Sequence, residues 1–156
     1  MTTKKALFKV DGPASAGGEF ANPSDDEIRA LLERTHRIAL VGLSPKPFRD
    51  SHRVARYLLE HGYTVIPVYP RESEILGQAV YRRVQDIPDG VDLVNVFRRS
   101  EELGPVFDDA LHAKAPAIWT QFDCVDERSA RRAQSAGLLV VMDRCSMVEH
   151  ARLLGR

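Results

Sequence analysis

The sequence is short of several things, and each absence removes a class of function. Only two cysteines, Cys124 and Cys145, occur among 156 residues, with no CxxC pair, which excludes a disulfide framework and a cysteine-built zinc site. Reduced, ordinary thiols are expected. Neither charge is in excess, since Lys plus Arg and Asp plus Glu both number 22; no global positive field argues for nucleic acid or an anionic membrane surface. A partner held by charge must be held locally. No apolar run is long enough to cross a bilayer, and the opening "MTTKKALFKVDGPASAGG" lacks a signal-peptide core, so the expected compartment is the cytoplasm. A glycine-rich dinucleotide fingerprint is also missing: after Gly42 the chain reads "LSPKPFRDS", with two prolines and no further glycine.

What remains has the length of one domain. Residues 1–23 are rich in Gly, Ala, Ser and Pro and lack any sustained period, and are read as an N-terminal extension. The domain, 24–156, opens with a helix start: Ser24 as N-cap, Glu27 as its capping-box partner, and Ile28, Leu31 and Leu32 on one face. Short apolar runs then follow at 38–42, 64–69, 91–97, 117–122 and 138–142. They are apolar almost throughout, as strands covered on both faces should be. Between them, Val54, Leu58 and Leu59 form one helical stripe and Leu103, Val106, Phe107, Ala110 and Leu111 another, while Gly62 and Gly137 fall where helices end. The alternation predicts an α/β, doubly wound, mostly parallel five-stranded sheet with helices on both faces. The stretch 71–88 is less regular and reads as a short edge strand near Gln78 to Tyr81 plus one helical turn.

In such a sheet the ligand lies outside the carboxyl ends of the strands. Those ends carry Arg49, Arg71, Arg98 and Arg99, the hydroxyls of Ser44, Ser51 and Ser100, the indole of Trp119 and the amide of Gln121. Arginine matches phosphate oxygens through its planar donor fork, and a helix starting near Asp50 offers free N–H groups. A nucleotide-like, phosphorylated small molecule is the expected ligand. NAD fits poorly, because the second strand ends Tyr69, Pro70, Arg71 rather than in the carboxylate that accepts from a ribose 2′-hydroxyl. Arg71 suits an extra ribose phosphate instead, which points to NADP or to coenzyme A.

The strings "VGLSPKPFRDSHRVARYLLEHGYTVIPVYP", "ILGQAVYRRVQDIPDGVDLVNVFRRSEEL", "AIWTQF" and "GLLVVMDRC" resemble the small single-domain CoA-binding proteins, relatives of the CoA-binding domain in the succinyl-CoA synthetase alpha subunit. The resemblance runs from about Ser24 to His150 and implies a Rossmann-like fold with CoA as ligand. It implies binding roles for Gly42, Leu43, Ser44, Pro47, Arg49 and Ser51 in the first loop, Tyr69, Pro70 and Arg71 after the second strand, Phe97, Arg98 and Arg99 after the third, and Trp119 and Gln121 after the fourth. Two departures stand out: Tyr69 replaces the usual asparagine, and Phe122 and Asp123 follow Gln121 where glycine is common.

No catalytic constellation is legible. His52, on the first turn of the helix after the loop, reads as an exposed helix residue. Cys145 reads as a packed small side chain, with a mixed disulfide to CoA as its functional alternative. In the synthetase the phosphorylated histidine belongs to another domain, so the resemblance carries binding without the ligase reaction. The expectation is a non-catalytic CoA or acyl-CoA binding protein, a sensor or carrier, monomeric or a small homo-oligomer. The alternatives are an NADP-dependent oxidoreductase and an interaction protein with a vestigial nucleotide pocket.

Overall fold

The computed structural model describes residues 19–155. Five helices and seven strands follow in the order α1 (Asp25–Arg34), β1 (Arg37–Val41), α2 (Asp50–Glu60), β2 (Thr64–Val68), β3 (Glu74–Ile75), β4 (Gln78–Ala79), β5 (Leu93–Val96), α3 (Leu103–His112), β6 (Ala117–Thr120), α4 (Glu127–Ser135), β7 (Leu139–Val141) and α5 (Ser146–Leu154). Single 3₁₀ turns occupy Val84–Asp86 and Ser100–Glu102. Five strands pair in the order β2-β1-β5-β6-β7, every pairing parallel. The doubly wound Rossmann-like sheet expected from the alternation is therefore what the chain forms.

The near-continuous apolar strands bury both faces. Along β1, Ala39 and Val41 point to one side with α3 and α4 residues Phe107, Ala110, Ala130 and Ala133. Ile38 and Leu40 point to the other, against Leu31 and Leu32 of α1 and Val54 and Leu58 of α2. The period of two in the strands thus feeds two separate cores. Burying each large side chain such as Leu40, Leu58 or Phe107 contributes roughly 1.5–3 kcal/mol.

Local signals terminate the helices as the sequence suggests. Ser24 and Glu27 form the capping box of α1, a cap worth about 1 kcal/mol. Gly62 and Gly137 take positive φ just beyond α2 and α4. The irregular stretch resolves into the small β3–β4 hairpin and a single bridge from Tyr81 to Val68. Tyr81 donates to Pro67 O and accepts from the Tyr69 N–H, so residue 81 shields the outer edge of β2. Of the extension, residues 1–18 lie outside the described residues; Phe20 packs on the core, and the Asn22 amide pairs with both the N–H and C=O of Met142 beyond β7.

Strand order decides where a ligand can go. The chain enters at β1, moves outward to β2, then crosses back to β5 on the far side of β1. The loops after β1 and β5 therefore diverge and leave a crevice at this switch point.

Candidate functional site

The first wall of the crevice is the β1–α2 loop. Gly42 has φ +86°, and a Cβ there would sit 2.0 Å from Phe97 O. Only glycine lets the chain leaving β1 pass that close to the chain leaving β5. Beyond it the loop is fastened by its own polar groups. The Ser44 N–H donates to Ser51 Oγ at 3.0 Å and the Lys46 N–H to Ser44 Oγ at 3.1 Å. His52 Nδ1 lies 2.9 Å from Ser44 O; a carbonyl only accepts, so Nδ1 carries a proton. His52 is 7% exposed, against the exposed position its place on the first helical turn suggests, because the loop folds back over it. Its role is to hold the loop.

No side chain caps α2, whose N-cap is Arg49. The His52 N–H turns back to Arg49 O at 3.1 Å, which leaves the Asp50 and Ser51 N–H groups of this 11-residue helix uncapped by any side chain at the positive end of its dipole. Arg49 itself is exposed, with its guanidinium near the ring of Phe48.

On the edge side of β1, the turn after β2 carries Tyr69, Pro70 and Arg71. One guanidinium nitrogen of Arg82 lies within hydrogen-bonding distance of Tyr69 O at 3.0 Å, Arg71 O at 3.1 Å and Glu72 O at 2.9 Å. Arg82 thereby ties down the backbone that presents Arg71, and nothing in the sequence pattern marked it.

On the other side of β1 lies a cleft of about 680 Å³, lined by residues that include Val54, Phe97, Arg98, Gln121, Cys124, Cys145 and Met147. Its depth is apolar and its rim charged. The rim cations are mostly spoken for: Arg53 pairs with Asp50, and Arg99 with Glu102 at 3.1 Å and Glu101 at 3.7 Å. The Arg99 hydrogen bond holds the Glu102 carboxyl below its usual range, and Glu102 in turn raises the Arg99 guanidinium. Arg98, half-buried, is the lining arginine without an ion pair among the described residues. The four strand-end arginines accordingly do not form one basic pocket. Arg98 and Arg99 line the cleft, Arg49 stands at the α2 N-terminus, and Arg71 lies on the β2 side.

Both cysteines reach this cleft, from opposite faces of the sheet. Burial pushes the Cys124 thiol up, against smaller opposing effects of the Arg98 and Gln121 N–H groups. Cys145 is the N-cap of α5 and is 8% exposed.

Trp119 is fully buried in the α1/α2/α5 core, and its indole N–H donates to Arg144 O at 2.8 Å. It is absent from the cleft lining. Residues two apart on a strand share a face, but β6 ends at Thr120 and Gln121 lies beyond it, so the chain turns Gln121 into the cleft wall while Trp119 stays in the core.

Beneath the cleft lies a polar group that sequence reasoning missed. Asn95, 0% exposed, donates from Nδ2 to Ser146 Oγ at 2.8 Å and accepts at Oδ1 from Gln121 Nε2 at 3.0 Å. Gln121 Nε2 also lies 3.4 Å from Ser146 Oγ. One available signal was the asparagine inside the apolar run "LVNV", since a buried amide demands partners. Ser146 opens α5, whose start the apolar-run analysis did not locate.

The description "CoA binding domain" belongs to a family model that matches residues 36–151. The uncharacterized protein YneT of Bacillus subtilis (strain 168) is 42% identical over 130 residues, which cover 83% of this chain and 96% of its own. The crystal structure of Prb, a protein redesigned for binding, superposes with a TM-score of 0.84 at 44% identity, covering 86% of this chain and 95% of that one. The dinucleotide-forming acetyl-coenzyme A synthetase 1 of Ca. Korarchaeum cryptofilum, in complex with phosphate and ADP, superposes with a TM-score of 0.62 at 28% identity. The match covers 75% of this chain and 27% of the synthetase.

Proposed function

This chain belongs to the CoA-binding domain family, and we propose that it binds coenzyme A or an acyl-CoA across the carboxyl end of its sheet and does no chemistry on it. The observation that carries the reading is the cleft on the β5 side of Gly42, with the start of α2 and the turn after β2 presented beside it. Toward β2 this end of the sheet offers Arg71, on a turn held by Arg82, to a ribose phosphate. At its centre the uncapped start of α2 and Arg49 offer N–H groups and charge to a diphosphate. Toward β5 and β6 the apolar cleft offers room for the pantetheine arm, with Gln121 as a polar wall.

The non-catalytic part of the reading rests on how most of the cleft's ionisable groups are engaged, Arg98 and Asp123 being the lining residues whose charges make no ion pair among the described residues. Arg53 and Asp50 neutralise each other, as do Arg99 and Glu102, and burial favours the neutral Cys124 thiol. A general base or nucleophile needs a tuned, available group instead. We extend the same reading to a sensor or carrier role. Among the described residues no helix is long and apolar enough to cross a membrane.

Arg71 suits NADP as well as CoA, so the test compares both. Calorimetric titration with CoA, dephospho-CoA, NADP and NAD should give binding of CoA that weakens when the 3′-phosphate is removed. Binding of NADP alone would replace the reading with a nicotinamide-dependent one. No binding of any of the four would leave the vestigial-pocket alternative.

A further inference from the structure

The buried amides beneath the cleft have a polarity. Asn95 is the middle of a chain of hydrogen bonds that runs from Gln121 Nε2 to Asn95 Oδ1 and from Asn95 Nδ2 to Ser146 Oγ. Gln121 is only 4% exposed, yet its Oε1 has no hydrogen-bond partner among the described residues, and it is not among the side-chain atoms sealed from solvent without one. Gln121 is also part of the cleft wall. With Nε2 turned inward, the amide leaves its acceptor oxygen for whatever fills the cleft.

Flipping the Gln121 amide alone would set its Oε1 against Asn95 Oδ1, acceptor on acceptor, so its orientation is tied to that of Asn95. Here three elements contribute one member each: Asn95 from β5, Gln121 from the end of β6, and Ser146 from the first turn of α5. Asn95 and Ser146 are 0% and 1% exposed, so water does not compete for them. In such surroundings a satisfied network is strong and a broken one costly. The rest of the deep wall, Val54, Phe97, Cys124, Cys145 and Met147, offers little to compete for a ligand's polar group.

We infer that Asn95 and Ser146 are positioning residues that hold the Gln121 carboxamide with Oε1 toward the cleft, and that the cleft thereby selects a ligand arm carrying an N–H donor, such as a secondary amide. The inference rests on the CoA reading, in which that arm is pantetheine and the donor one of its amide N–H groups. It makes the middle of the arm, rather than its phosphates, the part that Asn95 and Ser146 recognise through Gln121.

The test uses two ligands and two kinds of change on the full chain. CoA carries the arm, whereas adenosine 3′,5′-diphosphate carries the nucleotide part without it. Gln121→Leu should weaken CoA by about tenfold, the cost of one buried hydrogen bond to an amide, and leave adenosine 3′,5′-diphosphate unchanged. Ser146→Ala and Asn95→Leu should weaken CoA selectively too, by several-fold, with Ser146→Ala as the milder probe of folding. A CoA analogue with an ester oxygen in place of an arm N–H should lose the same factor against the wild type and nothing further against Gln121→Leu.

A purely structural role would lower both affinities together, which overturns the inference. So would unchanged CoA affinity in Gln121→Leu while the wild type binds CoA. A wild-type protein that binds neither ligand overturns the CoA reading itself, a result distinguishable from the other two.

Discussion

Gly42→Ala separates a steric demand from a conformational one. Gly42 sits at φ +86° where β1 ends, and an added Cβ would meet Phe97 O, a backbone atom, at 2.0 Å. Relief requires the two chains to part by about an ångström. That movement would strain the hydrogen bond from the Phe97 N–H to Val41 O, now 2.8 Å. Forcing a non-glycine residue to positive φ costs roughly 1–2 kcal/mol, overpacking a further 1–3 kcal/mol or so, and the weakened bond about 1 kcal/mol. The expected loss is about 3–6 kcal/mol, a large share of the roughly 5–15 kcal/mol that holds a domain folded. At about 2–4 °C per kcal/mol for a chain of this size, Tm should fall by roughly 10 °C. Gly62→Ala is the control, since Gly62 has φ +93° but nothing within 4 Å of its would-be Cβ; it should cost only about 1–2 kcal/mol. Urea unfolding of both variants, with m-values compared to the wild type, measures the difference. Equal losses in the two would refute the close crossing of the β1 and β5 ends.

Three further outcomes are expected. Arg71→Ala and Arg49→Ala should each weaken CoA by about 1.5–3 kcal/mol, as loss of a charge-assisted contact does, with melting temperatures nearly unchanged; Arg99→Ala should cost less affinity, because its guanidinium already serves Glu102 and Glu101. Trp119→Phe should destabilise the fold by about 1–3 kcal/mol by leaving Arg144 O without its donor, and the emission of this single tryptophan should shift little on adding CoA, since the indole lies in the core and not in the cleft. The raised Cys124 thiol gives stability a pH dependence of defined sign. Its folded pKa lies above the unfolded value, so the contribution is whole below about pH 8.5, where free thiols begin to ionise, and declines as pH rises from there toward the folded value. Unfolding free energies at pH 7.5 and 9.5 should therefore drop more for the wild type than for Cys124→Ala; an equal drop would sink the assignment.

Much of this molecule could be read directly from residue order. Parallel strands buried on both faces have to be apolar nearly throughout, so five runs between two helical stripes announced the sheet and its layers. The capping box at Ser24 and the glycines at 62 and 137 marked helix ends because those signals act within a few residues. The candidate ligand residues emerged by rule, since the carboxyl ends of such a sheet are where a crevice opens, and by likeness of motifs.

What adjacency in sequence could not decide was the direction and company of each side chain. Trp119 and Gln121 lie two apart, yet one closes a core through Arg144 O and the other walls the cleft, because β6 ends between them and the backbone turns. The four arginines share a strand-end position but disperse over different parts of the crevice, and Arg99 is claimed by neighbouring carboxylates. Asn95, Gln121 and Ser146 are brought together only when β5, β6 and α5 converge, and Arg82 reaches the turn after β2 only through the edge bridge at Tyr81. Periodicity and caps are local and were settled by the sequence itself. Hydrogen bonds between residues far apart in the chain exist only in the folded geometry, and they decide which of the legible residues face a ligand.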